Sequence, residues 1–204
     1  MKEIVINIME EDMVLLKDNR YSLCIAFREK DMGYSMISYA CTDYLLRNVI
    51  NIGEELSIFY SRNIQIGEKA VVSSELCKIE PGQSVTVDGY GSFKDINTGS
   101  DAGRIKIINK YDAIYPGFCK KLSFSGVQSE LPAFVSPYVS VKGEFTMEPE
   151  ERAIIWFEQF AESGTVIDNN FKDLYKAGKS GVIEVSLSDT PVQIAYENQI
   201  WKKI

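Results

Sequence analysis

The chain of 204 residues contains no histidine. That absence closes several routes at once: no Ser-His-Asp or Cys-His pair, no HExxH zinc helix and no imidazole to shuttle a proton. Close cysteine pairs are missing too. The four cysteines are Cys24, Cys41, Cys77 and Cys119, a pattern that is neither a CxxC metal pair nor a dense disulfide scaffold. Cys24, Cys41 and Cys77 lie in apolar or alternating stretches, where cysteine packs as a small hydrophobe. Two disulfides are sterically open, and the sequence does not choose among their connectivities.

Long apolar runs are lacking as well. Nothing approaches the roughly 18 residues that a membrane-crossing helix needs. Residues 4–8 are too few for the apolar core of a secretory signal, and Glu10, Glu11 and Asp12 follow at once. The expectation is a protein that is cytoplasmic or released without a signal peptide, with no transmembrane segment. Basic runs are confined to Lys120-Lys121 and Lys202-Lys203, against a net charge of −7. Such a balance repels phosphate backbones, so nucleic acid is excluded as a partner.

What the chain does have is the composition of a folded domain, with 45% apolar and 25% charged residues. Short β-rich runs recur between turn residues. The pattern predicts an all-β fold, an antiparallel β-sandwich of jelly-roll or Ig-like type, as a single domain over 1–204 with at most one or two short helices. Strands are expected at 4–8, 21–27, 104–109, 182–187 and 191–196, and a hairpin at Asp31-Met32-Gly33 leads into 34–41. Pro81-Gly82 is a turn before a strand at 85–87, and Gly53 and Gly67 read as turns feeding further strands. The stretch 138–147 has the most regular alternation, with Val139, Val141, Phe145 and Met147 on one face. Residues 150–162 carry helix formers, yet Ile154-Ile155-Trp156-Phe157 is β-branched and aromatic and favours a strand over 152–159. Short helical turns fit 43–48 and 169–176, and 88–103 and 125–137 read as long loops.

Several clusters carry candidate chemistry. A glycosidase acid and nucleophile could come from Glu10-Glu11-Asp12, Glu54-Glu55, Glu148, Glu150, Glu151, Glu158 or Glu162. Residues 95–101 begin like a calcium loop through Asp95, Asn97 and Asp101, then depart from it at Ser100 and Lys106. Asp168-Asn169-Asn170 with Asp173 forms a second acidic loop, and Gly89-Tyr90-Gly91 lacks the rest of a phosphate-cradling motif. Aromatic residues are placed in expected loops at Tyr90, Phe93, Tyr111, Tyr115, Phe118, Phe134, Tyr138 and Tyr175. Rings beside Asp and Asn can stack on sugars or contact proteins. The candidate ligand-binding set is therefore Tyr90, Phe93, Asp95, Asn97, Asp101, Tyr111, Asp112 and Tyr115, with no catalytic or metal-ligating residue assigned. No cofactor is called for; calcium is the single alternative. The function expected is non-enzymatic binding or self-assembly, with a glycan, a protein surface or further copies of the chain as partner. A membrane-active β-sandwich toxin and a carboxylate glycosidase are the alternatives.

Overall fold

A computed structural model describes residues 1–99, 101–124, 126–168, 181–188 and 191–204. The helical turn expected at 169–176, Asn169, Asn170, Asp173, Tyr175 and Ser100 lie outside these residues. The chain is all-β and sandwich-like, with several antiparallel sheets packed together and, among the described residues, one helix.

The largest sheet runs in the order β10 (Val127–Val135), β9 (Tyr115–Phe124), β4 (Arg47–Ser61), β1 (Lys2–Ile8), β14 (Val192–Glu197) and β15 (Ile200–Lys203). Along the second half of β4, β5 (Cys77–Ile79) takes over the place of β1. A second sheet orders β11 (Gly143–Met147), β8 (Ile105–Asn109), β6 (Gln83–Val87) and β7 (Phe93–Thr98). The third orders β13 (Val182–Ser186), β12 (Pro149–Gln159), β2 (Tyr21–Glu29) and β3 (Tyr39–Cys41). Among the described residues, β1 runs parallel to β14 and β6 parallel to β8, in departure from antiparallel pairing.

One apolar cluster draws on all three sheets, for example Ile6 and Phe118, Val85 and Ile107, Phe27 and Ile155. A second lies on the opposite face of β2 and β12, where Cys24, Ala26, Ile154 and Trp156 pack with Tyr34 and Ile37. That double burial explains why residues 21–27 are apolar on both alternations, and why 152–159 is a strand despite its helix formers. All four cysteines are free. Burial pushes the Cys119 thiol up to about 12, and it moves Cys24 the same way, so these two are packing residues.

The structure revises several expectations. The acidic run that opens residues 10–12 is the first turn of α1 (Glu10–Asp18), with Lys17 in its last turn. Both charges suit the helix dipole. Residues 43–48 hold no helical turn and lead directly into β4. Gly53 is not a turn but part of β4, at a register shift between Ile52 and Leu56, where a Cβ would approach Lys121 Cβ to 3.0 Å. Residues 66–72 form no strand; Gly67 makes a turn, and Lys69 bridges to Thr165. The expected loops 88–103 and 125–137 contain β7 and β10. Beyond Phe93 the residues of β7 are exposed, so no apolar alternation marks it. Pro132 is accommodated in β10 because that strand is a sheet edge and bulges between Pro132 and Phe134. The 138–147 strand shortens to β11, leaving Tyr138, Val139 and Val141 exposed.

Lys120 on β9 places its ammonium 5.4 Å from the centre of the Phe27 ring. Burial, helped by the charge of Lys2 and opposed by Glu151, lowers its pKa from the ordinary 10.5 to about 8. The fold therefore disfavours the charged form. That penalty is fully present below about pH 8 and fades as pH rises towards the unfolded value near 10.5. Lys120→Met is expected to stabilise the protein by about 2 kcal/mol near neutral pH, the full shift being discounted for partial exposure. Urea unfolding of both proteins should show the gap closing between pH 8 and 10.5. A gap independent of pH would contradict this account.

Candidate functional site

The expected ligand-binding residues divide into three groups. Phe93 and Tyr111 do come together, with ring centroids 5.9 Å and 6.1 Å from that of Tyr60. The Tyr60 hydroxyl donates to the Gly91 carbonyl at 2.9 Å, and Arg62 donates to the Tyr111 hydroxyl while standing over its ring. Tyr90 projects from the adjoining turn, 91% exposed. That turn is held by Asp88, whose Oδ1 accepts the Ser92 and Tyr90 amides at 3.0 and 2.9 Å while Oδ2 meets Lys94. The amide of Ser92, then Lys94 and the amide of Tyr90, hold the Asp88 carboxyl below its ordinary value.

The second group is occupied by local structure. Asp95 has a left-handed backbone, φ 54°, and its carbonyl accepts from Asn97 Nδ2 at 2.7 Å. Asp101 faces Arg104 at 3.8 Å, and the Asp112 carbonyl accepts from Asn109 Nδ2 at 2.9 Å. Among the described residues no group of three or more cysteine, aspartate or glutamate side chains is placed to hold a metal ion. The third group is core. Tyr115 packs against Met36, Phe59, Cys119, Val135 and Val166. Phe118 and Phe134, expected in loops, are buried strand residues stacked at 5.4 Å.

A concavity lies elsewhere. Residues 164–167 thread between 35–37 and 67–70, laced on one side by Ile37 N–H to the Thr165 carbonyl (2.8 Å) and Ile167 N–H to that of Ser35 (2.8 Å). On the other side, Gly67 N–H donates to the Val166 carbonyl at 2.8 Å and Val166 N–H to that of Glu68 at 2.9 Å. The result is an open cleft of about 910 Å³ with an apolar lining of Ile37, Ile66, Val166 and Ile167. Its polar lining comes from Glu158, Gln159, Thr165 and Asp168, with Lys69 and Glu162 paired at 2.6 Å. Lys69 holds the Glu162 carboxyl below its ordinary value. A second cleft of about 580 Å³ presents Lys17, Arg20, Thr42 and Asp43.

Phe160, Ala161 and Glu162 line both clefts. The β2–β12 ladder ends at the pair Gln159–Tyr21, and the Gln159 side chain donates to the Asn19 carbonyl at 2.9 Å. The residues just beyond that pair, Phe160 and Arg20, are both left-handed at φ 56°. For a bulky side chain this conformation costs about 1–2 kcal/mol. Phe160 is nevertheless 72% exposed, so burial of the ring does not offset that strain.

No protein-family model, curated protein or solved structure matches the chain.

Phe160 is absent from the sequence-derived set. A left-handed end to a strand is normally announced by glycine or asparagine, and here the glycine, Gly164, comes four positions later. The lining of the cleft comes from residues as distant in sequence as Ile37 and Asp168, a grouping that only the tertiary structure brings about. Among the described residues no helix is long and apolar enough to cross a membrane.

Proposed function

We propose that this chain is a non-enzymatic binding protein that holds a glycan across Phe160. The supporting observation is that one strained, exposed ring stands between two clefts lined with carboxylates, amides and hydroxyls. A flat ring offers a stacking face to the C–H side of a sugar, and the surrounding Asp, Glu, Gln and Thr side chains suit its hydroxyls. Binding is favoured over glycoside hydrolysis because a general acid needs its carboxyl raised, whereas Lys69 moves Glu162 the other way. Self-assembly through the edge of the largest sheet ranks lower, since β10 carries Glu130, Pro132 and a bulge, all of which discourage edge pairing. The membrane-active reading also ranks lower, because Val139 and Val141 lie outside β11 and form no continuous apolar strand face with Phe145.

The reading is tested with Phe160→Gly. Glycine relieves the left-handed strain, so thermal unfolding should show stability unchanged or higher by up to about 1 kcal/mol. Glycan-array screening followed by calorimetry should show wild-type binding that weakens about tenfold or more in the variant. A variant that binds the same glycans equally well would remove Phe160 from the site and the reading with it.

A further inference from the structure

A third cleft, of about 490 Å³, opens on another side of Tyr21. Tyr21, Phe157 and Tyr196 line it together with Leu15 and Asp12. Phe157 and Tyr196 meet edge to face at 4.9 Å, and Trp201 stacks on Phe157 at 5.3 Å. Asp12 stands in the first turn of the nine-residue helix α1. It is 4% exposed, and its Oδ1 accepts the Gln199 amide at 3.2 Å. Its Oδ2 is buried with no hydrogen-bond partner among the described residues. The hydroxyl of Tyr196 is pushed above its ordinary value by burial first, and then by the charges of Asp12 and Tyr21, which places these groups within electrostatic reach of one another. None of the described residues lining the cleft is lysine or arginine.

A carboxylate oxygen withdrawn from water and left unpaired is unfavourable unless something cationic or hydrogen-bonding completes it. The aromatic residues that line the same cleft favour the cationic answer, because a ring's negative face attracts an ammonium group. We propose that this cleft binds a primary alkylammonium group, held against Tyr21, Phe157 and Tyr196 with the Asp12 carboxylate as its counter-charge. An N–H donor suits the unpaired oxygen better than a quaternary ammonium, which has none to give. The site borders the second cleft at Tyr21 but does not include Phe160, and it does not depend on the glycan reading.

The test titrates the intact protein with n-butylammonium chloride and follows intrinsic tryptophan fluorescence, to which Trp201 reports through its stack on Phe157. The neutral isostere 1-butanol and tetramethylammonium are the comparators. A saturable response to n-butylammonium, absent with 1-butanol and weaker with tetramethylammonium, is the expected result, and it needs no variant. Asp12→Asn keeps an oxygen for the Gln199 amide while removing the charge, and should weaken n-butylammonium binding about tenfold or more. Phe160→Gly should leave that binding unchanged, so failure of the glycan reading and failure of this one are distinguishable. An equal response to 1-butanol, unaltered affinity in Asp12→Asn, or no response at all would overturn the proposal.

Discussion

Glu29→Ala is expected to destabilise the protein by about 3 kcal/mol, because it takes the shared acceptor from three backbone amides whose bonds are partly buried. Glu29 is 1% exposed at the end of β2. Its Oε2 accepts the amides of Asp31 and Met32 at 2.8 and 2.6 Å, and its Oε1 accepts that of Glu148 at 2.7 Å. One side chain therefore closes the turn after β2 and fastens it to the junction of β11 and β12. Amide-to-carboxylate bonds contribute about 1.5–3 kcal/mol each and do not add fully, which sets the total. Glu29→Gln separates charge from shape. It retains one acceptor oxygen but turns an NH2 group towards amides that need an acceptor, so a loss of about 2–3 kcal/mol is expected. Urea unfolding of both variants decides the matter. A loss below about 1 kcal/mol for Glu29→Ala would mean that solvent replaces the carboxylate at those amides and would refute this account.

Gly117→Ala should be comparably severe, at about 3 kcal/mol or more, through overpacking. Gly117 on β9 is paired with Phe59 of β4 on one side and Val135 of β10 on the other. A Cβ there would stand 2.4 Å from the Phe134 carbonyl oxygen and 2.6 Å from Phe59 Cζ. Rotation of the Phe59 ring would relieve only one of the two clashes, because the carbonyl belongs to a neighbouring strand and cannot yield without breaking the register. Gly89→Ala is the matched control. Its Cβ would meet nothing within 4 Å, and a change within about 0.5 kcal/mol is expected. Thermal unfolding of the two variants side by side measures the difference, and equal effects would refute the steric account.

The strands that were legible in the sequence are those whose burial is simple. β1 carries the β-branched residues Ile4, Val5, Ile6 and Ile8 because it is central, with β4 and β14 on its two edges. In β12, Ile154 faces one apolar cluster and Ile155 the other, so strong β formers outweigh the surrounding glutamates. β7 escaped notice because, past Phe93, each of its residues meets solvent, and an edge strand without a buried face leaves no alternation to read. In β10, Pro132 suggests a loop, and only the bulge reconciles it with the ladder. Of the candidate site, Phe93 and Tyr111 were recoverable as aromatic residues near a turn. Phe160 was not, because its exposure follows from a backbone conformation that its residue type disfavours.

The parallel pairing of β1 with β14 has a consequence for how the chain is made. During synthesis on the ribosome, residues 2–8 emerge before 47–61, and one edge of that strand can be satisfied by β4 soon afterwards. The other edge waits for residues 192–197. Between those two events the nascent sheet presents an apolar strand with an open ladder, and the contact that closes it spans more than 180 residues. Chains whose native contacts are so distant fold late and slowly. Until residues 192–197 have been made, that edge of β1 stays open to pairing with other strands.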